Sequence, residues 1–158
     1  MTDTIGDRPS AGHDADVATR TEIVDIIARF GRHMDDRNLD AAMTLFTPDI
    51  EFFYQSGAVH LEGIESVRAF LARAFQTLAG RPTTHLMGNT TVDTDSGVAE
   101  AKTAAIGFTA SETALSTRGL LYTDRFRRVD GTWKIFWHRH EAVWESESAR
   151  TRPTLFAS

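Results

Sequence analysis

Two histidine settings in this sequence carry residues suited to proton transfer. His85 lies within Thr83-Thr84-His85-Leu86-Met87-Gly88-Asn89-Thr90-Thr91-Val92. Thr and Val favour β structure and Pro82 ends the helical region before it, so the stretch is predicted to be a strand. Strand alternation then puts Thr83, His85, Met87 and Asn89 on one face. An imidazole, a thioether and a carboxamide together make neither a plain core face nor a plain wet one, so His85 is expected to face an enclosed pocket. An acid would complete a general base: a carboxylate accepting from Nδ1–H fixes the tautomer and stabilises the imidazolium once Nε2 has taken a proton. Asp35 is the candidate. Ile23, Ile26, Ile27, Phe30 and Met34 recur at helical spacing, and at about 100° per residue Asp35 falls on the margin of that stripe while Asp36 points to solvent. A helix C-terminus disfavours an acid, so Asp35 either tolerates a mild penalty or has a reason to be there. The competing reading is a satisfied core histidine beside an unrelated helix-end aspartate.

The second setting is Trp133-Lys134-Ile135-Phe136-Trp137-His138-Arg139-His140-Glu141. Alternation predicts Phe136, His138 and His140 on one face and Trp133, Ile135, Trp137 and Arg139 on the other. His138 and His140 could supply two metal ligands from one strand. Further ligands are not evident, so no metal site is expected and strand packing is the simpler reading. Tyr54 and Tyr122 are phenols on half-buried strands, suited to packing with the hydroxyl at a rim. There is no Gly-rich phosphate loop, no Gly-x-Ser-x-Gly elbow and no His-Glu-x-x-His, which disfavours a nucleotide-dependent enzyme, a serine hydrolase and a zincin.

The elements that must position these residues follow from pattern and punctuation. Thr19-Arg20-Thr21-Glu22 has capping-box spacing and announces the first helix. Asn38 can cap a second helix over Leu39 to Phe46, closed by Thr47-Pro48-Asp49. Ile50 to Tyr54 and Val59 to Leu61 are predicted strands. A third helix follows Glu62-Gly63, with Ile64, Val67, Phe70, Leu71, Ala74, Phe75 and Leu78 as its stripe and Gly80 and Pro82 as its stop. From His85 the chain is strand-rich: Val98 to Phe108, a polar connection over Thr109 to Thr117, then Leu120 to Val129 and Thr132 to Glu145 as a hairpin across Asp130-Gly131. Three helices before a mostly antiparallel sheet make an α+β fold. Helices closing one end of a strongly bent sheet would leave a cone-shaped cavity, a natural small-molecule site.

The 158 residues suit one domain. A flexible leader is expected over 1–16, the folded domain over 17–145 and a polar C-terminal tail over 146–158. The 41% hydrophobic and 25% charged content is ordinary for a soluble domain. With 17 basic and 22 acidic residues the net charge is −5, which gives no basic footprint for nucleic acid or membrane surfaces. The absence of cysteine excludes disulfides and thiolate chemistry and fits a cytoplasmic protein. No apolar run approaches the roughly 20 residues that span a bilayer.

From about Ala18 to Val143 the order of elements and several motifs resemble the SnoaL-like branch of the nuclear-transport-factor-2-like superfamily. The motifs are Met34-Asp35-Asp36-Arg37-Asn38-Leu39-Asp40, Leu45-Phe46-Thr47-Pro48-Asp49-Ile50-Glu51-Phe52, Glu62-Gly63-Ile64-Glu65-Ser66-Val67, Thr84-His85-Leu86-Met87-Gly88-Asn89, and Tyr122-Thr123-Asp124-Arg125-Phe126 ahead of Asp130-Gly131-Thr132-Trp133-Lys134-Ile135. Within that branch the pattern is similar to scytalone dehydratases and hexachlorocyclohexane dehydrochlorinases, which use a His–Asp dyad in a cone-shaped pocket without a cofactor. The resemblance implies a curved α+β barrel-like fold, a catalytic His85–Asp35 pair, and no cofactor. It aligns His138 with a cationic pocket residue and Tyr122 with an aromatic one, and Phe30 stands where the dehydrochlorinases have a lysine. Phe52, Tyr54, Met87, Ile106 and Phe108 would line the cavity by strand parity, with Asn89 also on the substrate. The expected activity is a lyase or isomerase of the dehydratase type on a small, mostly apolar cyclic or polyketide-type substrate. The alternatives are an aldol-type polyketide cyclase and a non-catalytic small β-subunit of a ring-hydroxylating dioxygenase. A homodimer or homotrimer is expected.

Overall fold

The computed structural model describes residues 13–151. Residues 1–12 of the expected leader, and the part of the expected tail holding Leu155 and Phe156, lie outside the described residues. Helix α1 (Val17–Asp35) begins earlier than the Thr19–Glu22 pattern predicts, because Asp16 is its N-cap and accepts from the Thr19 N–H at 2.8 Å. A carboxylate preceding the first turn satisfies one of its free N–H groups directly. Ile23, Ile27, Phe30 and Met34 are buried along one stripe, while Ile26 is half-buried and Asp36 exposed. Gly31 is buried on the same side, and a Cβ there would sit 2.9 Å from Met87 Cγ, so the glycine lets the helix lie close on the sheet.

Helix α2 (Leu39–Met43) is capped by Asn38, whose side chain accepts from the Ala41 N–H. It stops short of Phe46 because β2 (Phe46–Tyr54) begins there and pairs in parallel with the last strand. Strand β3 (Val59–Glu62) and helix α3 (Ile64–Thr77) follow, then β4 (Thr83–Asp95), β5 (Val98–Ala110), β6 (Ala114–Val129) and β7 (Thr132–Ala149). The polar connection expected over Thr109 to Thr117 shrinks to a turn held by the Ser111 N–H on the Ala114 carbonyl. Strand β7 runs past the expected tail boundary, with Ala149 opposite Ala114. A two-residue strand, β1 (His13–Asp14), pairs with the end of β4.

The α+β class and the mixed, mostly antiparallel sheet with its helices match expectation, but the cone does not. Among the described residues seven strands run in the order β1-β4-β5-β6-β7-β2-β3 and the sheet is open, with β1 and β3 as its two edges. A closed wall needs a hydrogen-bonded ladder between the terminal strands, and these, two and four residues long, pair only inward. The cavity is instead walled by α1 and α3 lying on the sheet. Among the described residues no helix is long and apolar enough to cross a membrane.

Bulges set which side chains face the helices. One falls between Gly88 and Thr90, where Asn89 has φ 48°. Another leaves Phe136 without a partner, since Phe126 pairs with Ile135 and Arg125 with Trp137. The bulge reverses alternation at Phe136, so Trp133 and Ile135 share the buried face with His138 and His140. This corrects the simple parity expected for that strand.

Candidate active site

The cavity, of about 220 Å³, lies between the sheet and helices α1 and α3. Its apolar wall includes Phe30, Met34, Phe52, Phe70, Leu71, Phe75 and Leu120, and its polar groups include His85, Tyr54, Tyr122, His138, His140, Thr83 and Arg118. Such a lining, mostly apolar with a few convergent polar groups, suits a small organic ligand.

Asp35 ends α1 and His85 is the third residue of β4, and the packing of that helix on that strand brings them together. Three donors converge on the carboxylate. The His85 backbone N–H donates to Oδ2 at 2.8 Å, the Thr83 hydroxyl to Oδ1 at 3.0 Å, and His85 Nδ1 lies 2.7 Å from Oδ1. An ionised carboxylate only accepts, so Nδ1 carries the hydrogen and Nε2 keeps its lone pair. Nε2 lies over Gly107, where a Cβ would come within 3.8 Å of it, on the cavity side of β5. Behind the pair stands Arg37, in the left-handed region at φ 56°, which lets its side chain fold back over the end of α1. Its Nη1 donates to the Met34 carbonyl and the Thr83 hydroxyl oxygen, at 2.6 and 2.9 Å, and its Nη2 to the Arg81 carbonyl at 3.0 Å. The order Arg37–Thr83–Asp35–His85 is thus a continuous hydrogen-bonded chain ending in the cavity.

A second His–Asp pair, which the sequence pattern does not single out, joins β6 to β7. Asp124 on β6 and His138 on β7 are cross-strand neighbours, with Oδ1 and Nδ1 2.7 Å apart and side chains only 4% and 1% exposed. The His138 ring stacks on Phe52 at 4.4 Å and meets Phe30 edge-on at 5.3 Å. One strand position away on the same face, His140 stacks on Tyr54 at 4.4 Å, and its buried Nδ1 has no hydrogen-bond partner among the described residues. Burial first, then the neighbouring His138, His85 and Arg118, pulls its pKa down to about 4, so the ring is neutral at pH 7. Burial, with the Asp124 charge beside it, pushes the Tyr122 phenol well above its usual range, which keeps its hydrogen available to donate.

Of the residues expected on the substrate, Tyr54, Tyr122, His138, Phe52 and Phe108 line the cavity together with His85. Met87 does not, being packed under Gly31. Asn89 is exposed, because the bulge at its own position turns it off the inward face. Ile106 is aligned across the ladder with Leu86, which is 58% exposed, so it belongs to the outer face. Strand parity missed Gly107 and Leu120; the sequence offered no direct sign of Arg118. Asp124 had a legible signal, an acid two residues after Tyr122 and on the same face. Among the described residues no group of three or more His, Asp or Glu side chains is placed to hold a metal ion.

Helices over one face of an open mixed sheet, with two His–Asp pairs bordering the space between, define a small α+β pocket protein. The chain belongs to the SnoaL-like domain family, whose profile matches residues 15–139. It is similar in structure to a hexachlorocyclohexane dehydrochlorinase (LinA Type2), at 16% identity over 89% of this chain and 97% of that one with TM-score 0.76. Two proteins from Novosphingobium aromaticivorans are also similar. One is a candidate scytalone dehydratase, at 18% identity, 90% and 97% coverage and TM-score 0.73. The other is a candidate aromatic ring hydroxylase, at 20% identity, 86% and 96% coverage and TM-score 0.74. At these identities the likeness is one of fold. No curated protein matches the chain.

Proposed function

We propose that this protein is a cofactor-independent lyase or isomerase of the dehydratase type, acting on a small, mostly apolar cyclic or polyketide-type substrate with His85 as general base. One observation carries the reading: the Asp35 carboxylate is satisfied by three donors, one of them His85 Nδ1, while Nε2 borders an apolar cavity. His85 Nε2 takes the proton from a carbon next to a carbonyl, and the Asp35 charge stabilises the ring as it becomes positive. The electron pair left behind moves onto the carbonyl oxygen, towards donors such as Tyr122. In a dehydration it returns to expel a β-hydroxyl, which leaves as water on taking a proton. In an isomerisation the proton returns to another carbon. Aldol cyclisation begins with the same abstraction, so a polyketide cyclase is the nearest variant.

The shared first step can be tested without knowing the natural substrate. In heavy water, NMR follows exchange of the α-hydrogens of 2-tetralone, a bicyclic ketone. The protein should accelerate that exchange, and His85→Ala should lower the acceleration by about 10²- to 10⁴-fold while the fold is kept. Full activity in a folded His85→Ala protein would overturn the mechanism.

A homodimer or homotrimer remains part of this reading. On the face away from the helices, Leu86, Ile106, Gly119 and Trp144 align across β4, β5, β6 and β7, and Leu86 and Trp144 are 58% and 49% exposed. An apolar row of that kind is a natural place for subunits to meet.

A further inference from the structure

The mechanism above gives no task to the cation that stands behind the His85–Asp35 pair. We infer that Arg37 is a positioning residue of the base: acting through the Thr83 hydroxyl, it fixes the Asp35 carboxylate that in turn orients His85. The inference deepens the proposed function and rests on His85 and Asp35 working as a pair, but its test includes a readout that needs no turnover.

A hydroxyl has one hydrogen and two lone pairs, whereas a guanidinium only donates. Arg37 Nη1 lies 2.9 Å from Thr83 Oγ1, so it donates there and occupies a lone pair. The Thr83 hydrogen is then directed to Asp35 Oδ1, 3.0 Å away. That same oxygen accepts from His85 Nδ1 at 2.7 Å. Arg37 is itself held by three elements. Its Nη1 also donates to the Met34 carbonyl in the last turn of α1, its Nη2 donates to the Arg81 carbonyl ahead of β4, and its guanidinium lies 5.3 Å from the centre of the Phe75 ring on α3. The left-handed backbone at φ 56°, costly for a residue with a long side chain, is what folds the side chain into that place. The charge stops one hydroxyl short of the acid: among the described residues, the ion-pair partner of Asp35 is His85 alone. A direct ion pair would direct the Asp35 charge to the guanidinium. Through Thr83 the cation orients the acid and leaves that charge to the imidazolium that forms. The same side chain stands on a route for water. Asp35, Arg37, Phe75 and Leu78 border a surface depression, and Arg37, Phe75 and Leu78 also line the cavity, so the partition between the two includes the guanidinium. A simple capping role at the end of α1 would use the Met34 and Arg81 carbonyls and would have no need of Thr83.

Three substitutions separate the two roles. Thr83→Val removes the relay and leaves the carbonyl contacts of Arg37 in place, while Thr83→Ser keeps the hydroxyl. Arg37→Asn retains a residue that tolerates the left-handed region but is too short to reach Thr83. In α-exchange of 2-tetralone, Thr83→Val and Arg37→Asn should each lower kcat by about 10- to 100-fold with KM nearly unchanged. The double variant should be no slower than the slower single one, because both changes cut one chain, and Thr83→Ser should keep most of the parent rate. NMR supplies the readout that needs no turnover. The Nδ1–H resonance of His85, assigned by its loss in His85→Ala, should be sharp in the parent and in Thr83→Ser. Exchange with water should broaden it in Thr83→Val and Arg37→Asn. Thermal melts identify folded variants, and the two Thr83 variants carry the test should Arg37→Asn not fold. A resonance equally sharp, or equally broad, in the parent and all folded variants overturns the inference. So does a loss confined to KM, which would make Arg37 a ligand contact, or a double variant in which the two losses multiply. The expected NMR pattern in a parent protein that exchanges no α-hydrogen sinks only the catalytic reading and leaves the positioning in place.

Discussion

At the scale of single residues, the proposed chemistry depends on which ring nitrogen is free, and that is decided by what Asp35 can accept. Asp35→Asn keeps the shape of the carboxylate but can offer an N–H to Nδ1, which would put the hydrogen on Nε2 and remove the base. The α-exchange rate of 2-tetralone should fall by about 10²-fold or more with little change in thermal stability, and an unchanged rate would remove Asp35 from the mechanism. His140 makes a different prediction. Its pKa is lowered to about 4 in the folded protein against 6.5 in a free imidazole, so the unfolded chain binds the extra proton first as pH falls. Folding stability is therefore full above about pH 6.5 and declines towards pH 4, by about 3 kcal/mol from this one ring. Denaturant melts of His140→Phe between pH 7 and pH 4 should show a flatter acid limb than the parent, and parallel limbs would rule the assignment out. The residue pattern disclosed much of this in advance. The helical phase of α1 separated Asp35 from Asp36, and the local sequence around His85 marked a mixed face. The Asp124–His138 pair was harder to read, because cross-strand neighbours 14 positions apart in sequence are fixed by register, which no local pattern specifies.

At the scale of elements, the fit of α1 on β4 holds the base. Gly31 is the point of closest approach, with Met87 beneath it. Gly31→Leu should force the helix away from the strand, costing about 1 to 3 kcal/mol of stability. It should also separate Asp35 from His85, so denaturant melts and the α-exchange rate should fall together, and a stable variant retaining full exchange would contradict that account. Helix existence was legible because each stripe repeats over several turns, whereas strand faces were legible only up to the first bulge. Alternation assigned His85 correctly, before the irregularity at Asn89, and misplaced Asn89 itself. It misassigned Trp133 and Ile135, which precede the extra residue Phe136. Local composition does not announce a bulge, since its cause is the pairing of one strand's length against another's.

At the scale of the whole molecule, the order of elements pointed to an α+β pocket protein and overstated its curvature. Sheet closure is a property of edge ladders, and the short edges β1 and β3 form none with each other. The exposed outer row predicts self-association. Sedimentation of the protein should show a concentration-dependent dimer or trimer, and Leu86→Lys with Trp144→Lys should shift it to monomer; an unchanged assembly would place the contact elsewhere. The parallel pairing of β2 with β7 has a kinetic consequence. It joins residues near positions 46–53 to residues near 135–139, with every other strand of the sheet either inserted in sequence between them or hydrogen-bonded beyond them. A nascent chain therefore cannot finish its cavity until β7 has left the ribosome, and until then the aromatic residues of β2 lack the strand that pairs with them. Long-range closure of this kind is slow and leaves sticky intermediates in the meantime. Yield in a heterologous host should accordingly improve with slower synthesis at lower temperature.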